Sequence, residues 1–96
     1  MVGKLIKTIY KYENVVLENN IKVTANEVTI QDGKVTTIPN GIVFIKKDEI
    51  ETSFSFSIYD NRMGGKKSYS TNNVPEDVSG ETIVKEFVNF VENDIL

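Results

Sequence analysis

Between Ile50 and Tyr59 the chain reads Ile-Glu-Thr-Ser-Phe-Ser-Phe-Ser-Ile-Tyr. Ile50, Thr52, Phe54, Phe56 and Ile58 are separated by Glu51, Ser53, Ser55 and Ser57. Successive side chains of a strand point to opposite faces, so the alternation predicts one apolar face and one small, hydroxyl-bearing face. On a helix the same residues would scatter around the axis at about 100° per residue. The spacing therefore predicts a central antiparallel strand, with the rest of the chain arranged to cover its Phe54/Phe56 side.

Upstream, residues 4–12 set Ile6, Thr8, Tyr10 and Tyr12 against Leu5, Lys7, Ile9 and Lys11. This predicts a strand whose lysines suit a sheet edge. Val15-Val16-Leu17 is a short apolar run between Glu13-Asn14 and the turn-forming Glu18-Asn19-Asn20. Ile21, Val23 and Ala25 alternate, and Val28 and Ile30 continue one position out of phase, which predicts a bulge at Asn26-Glu27. Asp32-Gly33 predicts a tight type I′ turn setting Ile30 opposite Val35. Pro39-Asn40-Gly41 predicts a second turn, followed by Ile42-Val43-Phe44-Ile45, apolar on both faces. A tight loop at Lys47-Asp48 would put Val43 and Ile45 on the Phe54/Phe56 face and Ile42 and Phe44 on the serine face.

Residues 60–67 contain consecutive glycines and predict a loop. Ser68-Tyr69-Ser70-Thr71 can return as a last strand, and Asn72-Asn73-Val74-Pro75 ends the sheet. Ser79 is placed to cap a helix with its hydroxyl, and Glu76, Asp77 and Glu81 lie near the positive end of its dipole. From there Ile83, Val84, Phe87, Val88, Phe90, Val91 and Ile95 form one broad apolar stripe, which suits a helix lying flat on a sheet.

The fold class expected is α+β: an antiparallel meander of about five to seven strands with one C-terminal amphipathic helix on one face. The sheet would be open or curled into a half-barrel. If both predicted turns are tight, Val28, Ile30, Val35, Ile42 and Phe44 share the face of Ser53 and Ser55, away from the helix. An exposed apolar patch marks a partner surface, so Ile30, Val35, Ile42 and Phe44 are the candidate contacts. Strands followed by one C-terminal amphipathic helix resemble pleckstrin-homology-like domains in order of elements alone. The tryptophan common in that helix is absent, and no site residue is carried over.

Composition sharpens this picture. The chain of 96 residues, expected to form a single domain over 1–96, has 12 Val and 11 Ile against 3 Leu and one Ala, a balance that favours pleated structure. It has no cysteine and no histidine, which removes disulfides, thiolate chemistry and the commonest general base. Residues 1–75 carry 10 basic and 8 acidic side chains (+2), whereas residues 76–96 carry Lys85 against six acids (−5). An acidic tail half on a faintly basic body argues against nucleic acid as partner. No apolar run approaches the ~20 residues that span a bilayer. Lys4 and Lys7 interrupt the apolar stretch a signal peptide would need, so a cytoplasmic protein is expected. Ten Lys against one Arg, with ten Asn, is associated with AT-rich bacterial or phage coding sequence.

Candidate chemistry is sparse. Arg62, Gly64, Gly65, Lys66 and Lys67 could converge on an anion, making Arg62, Lys66 and Lys67 the candidate site. The pattern lacks the phosphate-loop spacing and the helix that should follow it, and a solvated hairpin tip explains it as well. Lys46-Lys47 lies at the far end of the central strand and does not extend the patch. Asp48, Glu49 and Glu51, or Glu92 and Asp94, could pair as catalytic carboxylates or hold a hard cation, but turns and a polar helix side are where solvated acids lie. Ser53, Ser55 and Ser57 have no histidine to activate them. Phe44, Phe54, Phe56, Phe87, Phe90, Tyr10 and Tyr12 read most simply as core, with an apolar pocket between sheet and helix as the sharper alternative. No cofactor or metal is expected. The function expected is a non-enzymatic interaction module with a protein partner or a second copy. The alternative is a small-molecule or anion-binding domain.

Overall fold

The computed structural model describes residues 7–18, 20–61 and 66–95. Five strands follow one another, β1 (Lys7–Glu18), β2 (Ile21–Gln31), β3 (Lys34–Lys47), β4 (Ile50–Asn61) and β5 (Lys66–Asn72), before helix α1 (Gly80–Asp94). Their order in the sheet is their order in the chain, all neighbours antiparallel, with β1 and β5 at the two edges. This is the expected α+β meander with one C-terminal helix.

Two of the hairpins, β2–β3 and β3–β4, form through paired positive φ angles. Asp32 and Gly33 have φ of 52° and 75°, and Ile30 stands opposite Val35 as the Asp-Gly signal requires. At the next hairpin the tip is Asp48-Glu49 (φ 51° and 65°), not Lys47-Asp48, so Lys47 pairs with Ile50 and Val43 with Phe54. The register moves by an even step. The faces expected for Ile42, Val43, Phe44 and Ile45 therefore stand.

The turn expected at Pro39-Asn40-Gly41 does not exist. β3 runs straight through it, and between the pairs Ile38↔Ile58 and Gly41↔Phe56 it spends Pro39 and Asn40 against the single Ser57. That is a bulge, one of the few interior sites where a proline without an N–H disturbs no ladder bond. A second irregularity, between Thr29↔Thr37 and Ile30↔Val35, inserts Thr36. Buried positions along β3 accordingly run Val35, Ile38, Gly41, Val43, Ile45, with two steps of three where the bulges lie. β2 shows the same device at the expected place: Asn26 and Glu27 together face Lys11, between Tyr12↔Ala25 and Tyr10↔Val28. β1 adds its own at Glu13-Asn14, where Asn14 has φ 52° and its N–H donates to the Thr24 hydroxyl at 2.9 Å.

The bulges put Val23, Ala25, Val28, Ile30, Val35, Ile38, Val43, Ile45, Phe54, Phe56 and Ile58 on one face, under α1. The helix answers with Ile83, Val84, Phe87, Val88 and Val91. Phe56 meets Phe87 edge-on at 6.1 Å between ring centres, and Tyr12 from the β1 edge meets Phe87 at 5.9 Å. Truncating a buried Phe of this kind to Ala costs about 3–5 kcal/mol, a large part of a small domain's stability. Phe90, expected within the stripe, is 39 % exposed and stands edge-on to Tyr12 of the β1 edge at 6.3 Å. Ser79 stands at the N-cap, yet its hydroxyl bonds the Thr82 hydroxyl at 2.8 Å rather than a backbone N–H.

Candidate functional site

The candidate surface is the face of the sheet that α1 leaves open. Val28, Ile30 and Val35 are absent from it: Ile30 is 6 % and Val35 0 % exposed, both in the core beneath the helix. The expected surface assumed a turn at Asn40-Gly41; with β3 continuous and twice bulged, these residues swing to the other side. Ile42 and Phe44 do lie on the open face. β3 is the middle strand of five, so the pair occupies the centre of that face. Ile42 is 37 % exposed and Phe44 half-buried. Their cross-strand neighbours are Thr24 and Lys22 on β2 and Ser55 and Ser53 on β4, short or flexible side chains that leave the apolar pair accessible. Ile9, Val16 and Tyr59 are also exposed there, spread toward the margins.

The other residues singled out in the sequence are dispersed. Arg62, Gly64 and Gly65 lie outside the described residues, and Lys66 and Lys67 begin β5, paired with Asn61 and Asp60. Lys46 and Lys47 sit at the opposite end of β4, across from Glu51 and Ile50. Asp48 and Glu49 form the exposed hairpin tip. Glu92 and Asp94 share no cleft: the Val35 N–H donates to Glu92 Oε2 at 2.9 Å, and the Tyr12 hydroxyl donates to Asp94 Oδ2 at 3.0 Å. These two acids fasten the end of α1 to β3 and β1. Burial and then the bond to Asp94 push the Tyr12 phenol up to about 12. Among the described residues no group of acids, cysteines or histidines could hold a metal, and no buried side-chain polar atom lacks a partner. None of their helices is long and apolar enough to cross a membrane.

Two clefts lie where the helix meets the sheet. One, about 400 Å³, opens where the end of β3 meets the start of α1, with Ile21, Ile45, Val78 and Ile83 as apolar lining. At its rim Lys47 Nζ lies 2.9 Å from Asp77 Oδ2, an exposed pair. The hydrogen bond to Asp77 raises the Lys47 ammonium, and the same bond lowers the Asp77 carboxyl. The other, about 470 Å³, runs between Tyr69 of β5 and the flank of α1 at Thr82, Lys85, Val88 and Asn89. The Lys85 ammonium stands 5.5 Å from the Tyr69 ring centre. Both depend on where the helix crosses the sheet, which local periodicity does not encode. No protein family, curated protein or solved structure matches this chain.

Proposed function

We propose that the protein is a non-enzymatic interaction module whose open sheet face, centred on Ile42 and Phe44, takes a protein partner. The supporting observation is an aromatic and an aliphatic side chain left partly exposed at the centre of a face flanked by serine and threonine. Small hydroxyl neighbours let another element approach closely, and an apolar centre with a polar rim is how interfaces are built. Phe44→Glu tests it in solution. Away from the core the substitution leaves the chain folded, by circular dichroism, and abolishes association with the protein partner. If the variant stays folded and every association persists, Phe44 is no contact and the reading fails.

A second reading is favoured by the cleft beside the Lys47–Asp77 pair. Four aliphatic side chains beneath a polar rim are the make-up of a small apolar-ligand site. Saturable enhancement of a fluorescent apolar probe, abolished by Val78→Asp and unaffected by Phe44→Glu, would select this reading over the first.

A further inference from the structure

We propose that β5 is an open pairing edge that receives β5 of a second copy of this chain, antiparallel, joining two five-stranded sheets into one. The two edges of the sheet are built differently. β1 carries three register irregularities against β2 and a positive-φ Asn14, features that twist an edge away from further pairing. β5 pairs with β4 through seven consecutive positions, from Ser55↔Asn72 to Asn61↔Lys66, with no irregularity and no proline. Such an edge presents its outward N–H and C=O groups in regular order, a ready template for another strand.

The sequence of β5 complements itself. Residues directly opposite share a face, so two copies of one strand stay in phase only when each pair of residue numbers sums to an even value. Centred on Tyr69, the pairing sets Tyr69 against its counterpart and Ser68 against Ser70. Lys67 and Lys66 then fall opposite Thr71 and Asn72. No two lysines meet, whereas an in-register parallel pairing would align them, at a cost. On the helix side, the cleft of about 470 Å³ beside Tyr69 has room for a second tyrosine ring. On the other side Ser68 and Ser70, both exposed, continue the serine face across the junction. The surface is separate from Ile42 and Phe44, so the two proposals stand or fall independently.

The chain has no cysteine, so single engineered thiols report the geometry cleanly. Full-length Ser68→Cys and Ser70→Cys proteins, each checked for unchanged circular dichroism, are mixed and oxidised over a range of concentrations, with Thr8→Cys on β1 as control. Expected are a doubled solution mass and a mixed disulfide forming several-fold faster than any Thr8→Cys dimer, with the same yield in a Phe44→Glu background. A mass that stays that of one chain at every concentration overturns the proposal, as does cross-linking no faster than the β1 control. A dimer trapped through Phe44→Cys but not through the β5 thiols assigns self-association to the open face and equally overturns it.

Discussion

Replacing Gly41 with Ala separates two explanations of the same glycine. As part of a Pro-Asn-Gly turn it would serve a backbone conformation. In the structure its φ is not positive, and it stands opposite Phe56 on the core face. A β-carbon at Gly41 would run into the Phe56 ring at Cζ and Cε1 and come within 2.8 Å of Cε2. The ring has little room to retreat, because Phe56 is almost fully buried and Phe87, wholly buried, packs on it. Overpacking of this kind costs about 1–3 kcal/mol, while the loss of glycine's unfolded-state freedom returns about 0.4–1 kcal/mol. The expected net destabilisation is about 1–2 kcal/mol, or a midpoint lowered by roughly 5–15 °C in a domain this small. Thermal and urea unfolding followed by far-ultraviolet circular dichroism would measure it. The decisive variant is Gly41→Ala/Phe56→Leu. Trimming the ring relieves the clash, so the double mutant should lose about 0.5–3 kcal/mol less than the sum of the singles. Strict additivity, or a neutral Gly41→Ala, refutes the reasoning.

At the first hairpin, Gly33→Val should cost about 1–3 kcal/mol through the φ of 75°, read as a lower urea midpoint; an unchanged midpoint would mean the turn relaxes freely. Glu92→Ala strands the Val35 N–H and should cost about 1–2 kcal/mol, whereas Glu92→Gln keeps an acceptor and should recover much of it. Tyr12 titrates higher in the folded chain, at about 12, than its ordinary 10.0. Its contribution to stability is therefore complete below the ordinary value and lost as pH rises through the folded one. Tyr12→Phe should flatten the alkaline fall in stability, and an equally steep fall in that variant would exclude Tyr12 as its source.

Much of this fold is legible locally. The alternation from Ile50 to Ile58, the phase change at Asn26-Glu27, the Asp-Gly turn and the stripe from Ile83 to Val91 each need only a short window. What failed needed a distant partner. Pro39-Asn40-Gly41 has turn composition, and only Phe56, fifteen residues on, distinguishes a turn from a bulge by laying its ring where the Gly41 side chain would be. Phe90 fits the helical stripe by angle, but the sheet beneath α1 ends before reaching it except for Tyr12. The cleft beside Tyr69 reflects where a helix stops covering an edge, information carried by no single segment.

The bulge at Pro39-Asn40 also sets the size of the candidate site. Read with a turn, β3 contributes apolar residues to both faces and the open face becomes an apolar strip. Read with bulges, the two steps of three keep Val35, Ile38 and Gly41 on the helix side, and only Ile42 and Phe44 remain at the centre of the open face. A specific interface buries about 1,200–2,000 Å² in total, far more than two side chains supply. A partner on this face must therefore also cover Lys22, Thr24, Ser53 and Ser55, and draw specificity from hydroxyl contacts as well as from the apolar pair. Edge pairing at β5 would draw its affinity mainly from main-chain hydrogen bonds, with Tyr69 and the serines setting the register. The uneven treatment of the edges, one bulged and one regular, thus weighs more heavily than the small apolar patch on the question of how copies of this chain would meet.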